Sequence, residues 1–214
     1  MDARSPVSHE ALMAYAQWPD DVLTHAFAGA VRTAFSQGVF PALFFGLTEA
    51  QFSCLLDRYF PGAWRDLFAT ADLLDDKTPC PSFREDEIKD LVALLLEYRA
   101  SEREEITWLA YALATGCMGS NHLWQDMGLS GRQALSDILK NNFTALHDKN
   151  VGNMKWKKFF YKQLCDRAEV NLCKAPSCQV CDDYQKCFGP EDATDLGALS
   201  AASGRGAREV DAVS

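Results

Sequence analysis

No apolar run in this sequence approaches the ~18 residues that a membrane-spanning helix needs, so no span is expected. Met1 to Asp21 lacks a basic stretch followed by an apolar core of signal-peptide length. That absence points to the cytoplasm, where disulfides rarely persist. Positive charge is in short supply: 21 Lys and Arg face 30 Asp and Glu, a net charge of −9. Such a deficit argues against general nucleic-acid binding, which draws its affinity from neutralised phosphates. A soluble protein with discrete partners is expected instead. There is no G-x-x-x-x-G-K-S/T phosphate loop, no G-x-G-x-x-G, no H-E-x-x-H and no G-x-S-x-G elbow. With no catalytic constellation in view, the chain is read as a non-enzyme.

Strand signals are scarce as well. Only Gly38 to Leu47 reads as a short extended stretch, and there is no internal repeat. What remains is helical almost throughout, and the predicted fold class is all-α, a helical bundle. Four S/T-x-x-E/Q pairs mark helix starts: Thr48 with Gln51, Ser82 with Glu85, Ser101 with Glu104, and Ser130 with Gln133. Behind them the apolar residues recur every three to four positions. Ile88, Leu91, Val92 and Leu95 form one stripe, and Ile106, Leu109, Ala110 and Leu113 a second. Leu135, Ile138, Leu139, Asn142, Phe143 and Leu146 form a third. Earlier helices are predicted over Glu10–Gln17, Asp21–Gln37 and Glu49–Tyr59. Gly38 and Gly128 suit C-terminal caps, and Pro61-Gly62 stops the third helix.

At 214 residues the chain is expected to form one large helical domain over residues 1–172, with a loop near 75–81. There, Asp75 to Pro81 carries two prolines and two adjacent acids. After Gly189-Pro190 the composition collapses to Ala, Gly, Ser and charges, so residues 190–214 are expected to be a disordered tail.

Between domain and tail lies the most informative segment, residues 173–189. Cys173, Cys178, Cys181 and Cys187 follow C-x4-C-x2-C-x5-C. Four thiols this close can converge on one centre, and soft thiolates favour zinc or an iron–sulfur cluster over magnesium or calcium. The first three match the opening of the plant-type iron–sulfur spacing, although the fourth comes far sooner. A structural zinc site more often pairs two C-x2-C knuckles, and this chain has one. Spacing alone therefore leaves a cluster, zinc or unrelated thiols open. Cys54, Cys80, Cys117 and Cys165 are scattered singly and are read first as small buried apolar side chains.

Two further segments carry candidate chemistry. A helix predicted from Asn153 to Glu169 buries Trp156, Phe159, Phe160 and Leu164 and lines another face with Lys155, Lys158 and Lys162. This face is either solvated surface or an electropositive approach for an anion or an acidic partner. Upstream, Gly116 and Gly119 break a helix, and Ser120 or Asn121 is placed to cap a short one with His122 in its first turn. Cys117 and His122, five residues apart, can share a metal or can be packing and capping details.

These same segments carry a resemblance. Asn121-His122-Leu123-Trp124-Gln125-Asp126-Met127-Gly128-Leu129 resembles the NHLWQDLGL segment of the NifQ family, with Met127 where Leu is usual. Met154 to Tyr161, Leu164-Cys165, Cys173 to Cys178 and Cys187-Phe188-Gly189 are also similar to that family, and the likeness runs from about Ser82 to Gly189. The resemblance implies a molybdenum carrier for assembly of the nitrogenase iron–molybdenum cofactor. It implies an iron–sulfur cluster of 4Fe-4S or Mo-Fe-S type and a molybdate or other molybdenum source. The implied partners are the nitrogenase iron protein and the NifE–NifN scaffold complex. It makes Cys117, His122 and Cys165 candidates for completing the molybdenum sphere beside the four clustered cysteines. A ferredoxin-like electron carrier and a zinc-stapled helical adaptor are the alternatives.

Overall fold

A computed structural model describes residues 7–36, 46–68, 82–168 and 187. Its elements are α1 (His9–Met13), α2 (Val22–Ser36), α3 (Glu49–Tyr59), a single π turn (Trp64–Phe68), α4 (Ser82–Glu97) and α5 (Glu104–Cys117). They continue with α6 (Leu123–Asp126), α7 (Arg132–Asn142), α8 (Thr144–Asp148) and α9 (Trp156–Arg167). No strand occurs among the described residues, and the all-α expectation holds there. The expected loop near 75–81, the capping role of Gly38 and the tail beyond Pro190 lie outside the described residues.

The core forms around α5. Its residues from Trp108 to Leu113 are buried on nearly every side, which suits a helix hydrophobic all round rather than along one stripe. It packs against α2, α4, α3 and α6. α2 packs against it and is rich in small buried residues, Ala26, Ala28, Ala30 and Ala34. The stripes read from the sequence on α4, α5 and α7 are all buried. α9 packs against α4, where Tyr161 Oη donates to Glu87. Trp156, Phe159 and Phe160 are buried there, with Leu164 only partly so.

Helix starts were less legible. Thr48 and Gln51 form the expected reciprocal cap, with Gln51 N donating to Thr48 Oγ1 at 3.3 Å and Thr48 N to Gln51 Oε1 at 3.0 Å. Ser101 does not cap α5, because the helix begins at Glu104 and Arg103 occupies the cap. Ser130 does not cap α7 either: Gly131 takes that place with an extended backbone. The side chains of Ser82 and Glu85 lie outside the described set. α1 ends at Met13, short of Gln17, because the Gln17 N–H turns away to donate to Tyr59 O at 2.9 Å. α9 starts at Trp156 rather than Asn153, because Asn153 adopts a left-handed conformation (φ 53°) that no helix continues.

Candidate functional site

The segment from Gly116 to Leu129 turns tightly between α5 and α7, and α6 is its single helical turn. Gly128 ends that turn at φ 66°. His122 is the N-cap of α6, one residue before the first turn, and its N–H donates to Gln125 Oε1 at 3.1 Å. Neither Ser120 nor Asn121 caps the helix. Asn121 instead turns both its backbone N–H and its side-chain amide onto Asp126, at 3.1 Å and 3.0 Å.

Asp126 is the buried charge of this region. Its carboxylate also accepts from Lys157 Nζ of α9 at 2.6 Å, and the same ammonium donates to Gly119 O at 2.8 Å. The two side chains are 3% and 19% exposed, so the pair works largely out of water. Asp126 is also held by its backbone: its carbonyl accepts from Thr33 Oγ1 of α2 at 2.8 Å. Arg32 donates to Gln125 O at 3.1 Å. Thus α2 and α9 grip the same turn from two directions. Lys157 was not among the lysines singled out from sequence. The available signal was an acid set between Gly119 and Gly128 with an Asn five residues before it.

α9 carries the link to the cysteine segment. The approach to it is fixed by Arg132, whose guanidinium donates to Asn153 O at 2.8 Å and Met154 O at 2.9 Å. Asn150 adds a bond in each direction with Met154, at 2.9 Å and 2.8 Å. Lys155, the N-cap of α9, then donates its backbone N–H to Cys187 O at 2.8 Å. Cys187 is half-buried and packs against the core. Cys173, Cys178 and Cys181 lie outside the described residues.

The proposed basic face is unequal. Lys158 is exposed, whereas Lys162 is engaged with Asp166 at 2.8 Å, and Lys155 is half-buried. The single cysteines also differ from one another. Cys54 is exposed, which corrects the expectation of a buried side chain, since it lies on the outer face of α3. Cys165 is half-buried, and Cys80 lies outside the described residues. Cys117 is buried at the end of α5, and burial pushes its thiol up to about 12, with Lys157 pulling the other way. Burial therefore keeps the free thiol protonated at neutral pH. Among the described residues no three His, Cys, Asp or Glu side chains converge in a way that could hold a metal ion. Nor is any helix there long and apolar enough to cross a membrane.

Comparison with known proteins gives a consistent result. A family model described as NifQ matches residues 26–189. The "Protein NifQ" of Azotobacter vinelandii is 39% identical over 153 residues, covering 68% of this chain and 77% of the relative. That of Rhodobacter capsulatus is 37% identical over 147 residues, covering 68% and 76%. A "Protein NifQ homolog" of Sinorhizobium fredii is 33% identical over 144 residues, covering 67% and 60%. No solved structure matches significantly. The family match begins at residue 26, well before the likeness legible from Ser82 onward, and so takes in α2 and its grip on Asp126.

Proposed function

Because the chain belongs to the NifQ family, whose role lies in nitrogen fixation and the biosynthesis of the iron–molybdenum cofactor, we propose that it carries molybdenum on an iron–sulfur centre and donates it to that assembly. The observation that carries this reading is that the family match runs to residue 189 and so includes Cys173, Cys178, Cys181 and Cys187. Soft thiolates at that spacing are the donor set an iron–sulfur cluster requires. One of them, Cys187, is tied by its carbonyl to the first turn of α9. A helix N-terminus favours negative charge, and a thiolate-ligated cluster is usually anionic. The donor set therefore fits a cluster.

The cluster, when bound, supplies sulfide and iron to which molybdenum can attach. The protein's own residues do the rest. The cysteines bind, Lys155 fixes the Cys187 backbone, and the exposed Lys158 offers positive charge to an incoming oxyanion or an acidic partner. Molybdenum is cargo in this scheme, so the protein is a carrier rather than a catalyst. The nitrogenase iron protein and the NifE–NifN scaffold complex are the proposed recipients, and cytoplasm the proposed compartment. The test is anaerobic purification with iron, sulfide, zinc and molybdenum analysis, followed by transfer to the purified scaffold complex. Iron with sulfide and transferable molybdenum supports the reading. A colourless zinc protein sinks it, and iron that never accepts molybdenum makes the chain an electron carrier.

A further inference from the structure

The buried contact between Asp126 and Lys157 has no part in molybdenum binding as proposed, yet its lysine is two residues from Lys155, which holds the one clustered cysteine among the described residues. Lys157 sits in the first turn of α9, two residues after Lys155, whose N–H holds the Cys187 carbonyl. Its ammonium is aimed by two acceptors, Asp126 Oδ2 at 2.6 Å and Gly119 O at 2.8 Å. Asp126 cannot drift. Asn121 takes both its oxygens, Thr33 takes its carbonyl, and a Cβ on Gly119 would meet its carboxyl carbon at 2.3 Å. The first turn is pinned a second time by Trp156, whose buried indole N–H donates to Ser136 Oγ at 3.1 Å.

Stability is a weak reason for placing a charged pair here. The desolvation of two buried charges offsets most of their attraction, and apolar residues of the same volume would often hold the helix as firmly. What an apolar pair cannot do is fix direction, since its contacts are not directional. Two charge-assisted hydrogen bonds from one ammonium to acceptors on the same turn tether the helix end to that turn and limit how far it can move.

We propose that Lys157, aimed by Asp126, is a positioning residue for Cys187: it sets the first turn of α9 and with it the backbone seat of the last cysteine of the cluster. Only the second arm of the test rests on reading Cys187 as a cluster ligand.

The first arm uses the full-length, reduced, metal-free protein. Iodoacetamide labelling is followed in time by mass spectrometry at Cys187 and at the exposed Cys54 in the same sample. Lys157→Met should raise the Cys187 labelling rate roughly tenfold, by freeing a local opening, and leave Cys54 unchanged. Lys157→Arg, which keeps a cation and several donors, should restore part of the protection. Asp126→Asn, which keeps an acceptor, should fall between wild type and Lys157→Met, and it carries the test if Lys157→Met does not fold. Phe160→Leu, a core truncation on the same helix, is the control for simple destabilisation. Equal Cys187 exposure in Phe160→Leu at matched melting temperature, or an unchanged rate in Lys157→Met, overturns the proposal.

The second arm measures iron retention after anaerobic reconstitution. Faster iron loss from both Lys157→Met and Cys187→Ser supports positioning of a ligand. Exposed Cys187 with iron unaffected in both variants leaves the positioning intact and overturns the reading of Cys187 as a ligand.

Discussion

Gly29 of α2 lies so close to Met127 that a Cβ built on it would come within 2.1 Å of the Met127 carbonyl carbon and 2.4 Å of the Gly128 nitrogen. The helix and the turn after α6 therefore touch backbone to backbone, with the Thr33–Asp126 bond one helical turn further along. No rotamer can relieve a clash with backbone, so Gly29→Ala must push the turn away from α2. The expected cost is about 1–3 kcal/mol, the range of an overpacked core, measured by chemical denaturation. Gly131→Ala is the counterpart: nothing lies within 4 Å of its Cβ position and its φ is 174°, so its stability should be near wild type.

The cysteines outside the cluster should separate by burial. Cys54 is exposed on α3, and Cys54→Ala should leave stability within about 0.5 kcal/mol. Cys117→Ala removes a buried sulfur and should cost about 1–3 kcal/mol. Iron per folded molecule should be unchanged in both. A folded but iron-free Cys117→Ala protein would make Cys117 a ligand after all.

Alkaline pH should weaken the fold in a defined window. Burial raises the Cys117 thiol from its ordinary 9.0 to about 12, and burial with Asp21 nearby raises the Tyr59 phenol from 10.0 to about 12. Both groups stay protonated when folded and ionise when unfolded, so the native state binds more protons. Stability is then fully present below pH 9 and falls as pH rises toward 12. Each group contributes at most about 1.4 kcal/mol per pH unit. Cys117→Ala should flatten the first part of that decline, read from denaturation midpoints across pH, and an unchanged slope would contradict the burial argument.

Charge reversal on α9 should not be uniform. Lys158→Glu changes an exposed cation and should slow molybdenum loading or transfer, with the effect fading near 1 M salt, where the screening length is about 3 Å. Lys162→Glu instead breaks an exposed pair with Asp166 and sets two acids four residues apart, at a stability cost of about 0.5 kcal/mol. Equal transfer by wild type and Lys158→Glu at low salt would reduce this face to ordinary solvated surface.

The architecture was readable because it follows from local rules. Ile88, Leu91, Val92 and Leu95 repeat at helical spacing, and all are buried where α4 meets α5 and α9. Thr48–Gln51 was readable because a reciprocal cap needs only neighbours three apart. Ser101 and Ser130 satisfied the same pattern and failed, because spacing says nothing of where the chain turns. Gly131 and Arg103 took the caps, and Arg132 was drawn off to hold Asn153. The Asp126–Lys157 pair could not be read at all. Its members are 31 positions apart, and Lys157 looks in sequence like one of several solvated lysines. Family likeness, by contrast, was legible in the segments from Asn121 to Leu129 and Met154 to Tyr161, the same two turns that this pair joins.

The most direct measurement is the iron, sulfide and molybdenum content of the anaerobically reconstituted protein, wild type against Cys173→Ser, Cys178→Ser, Cys181→Ser and Cys187→Ser, each normalised to folded protein by far-UV circular dichroism. A helical signal is expected in all five, with iron and transferable molybdenum present in the wild type and sharply reduced in each variant if each thiolate is a direct ligand, as proposed. Full iron retention in Cys178→Ser, or a wild-type protein that binds zinc and no iron, would contradict it.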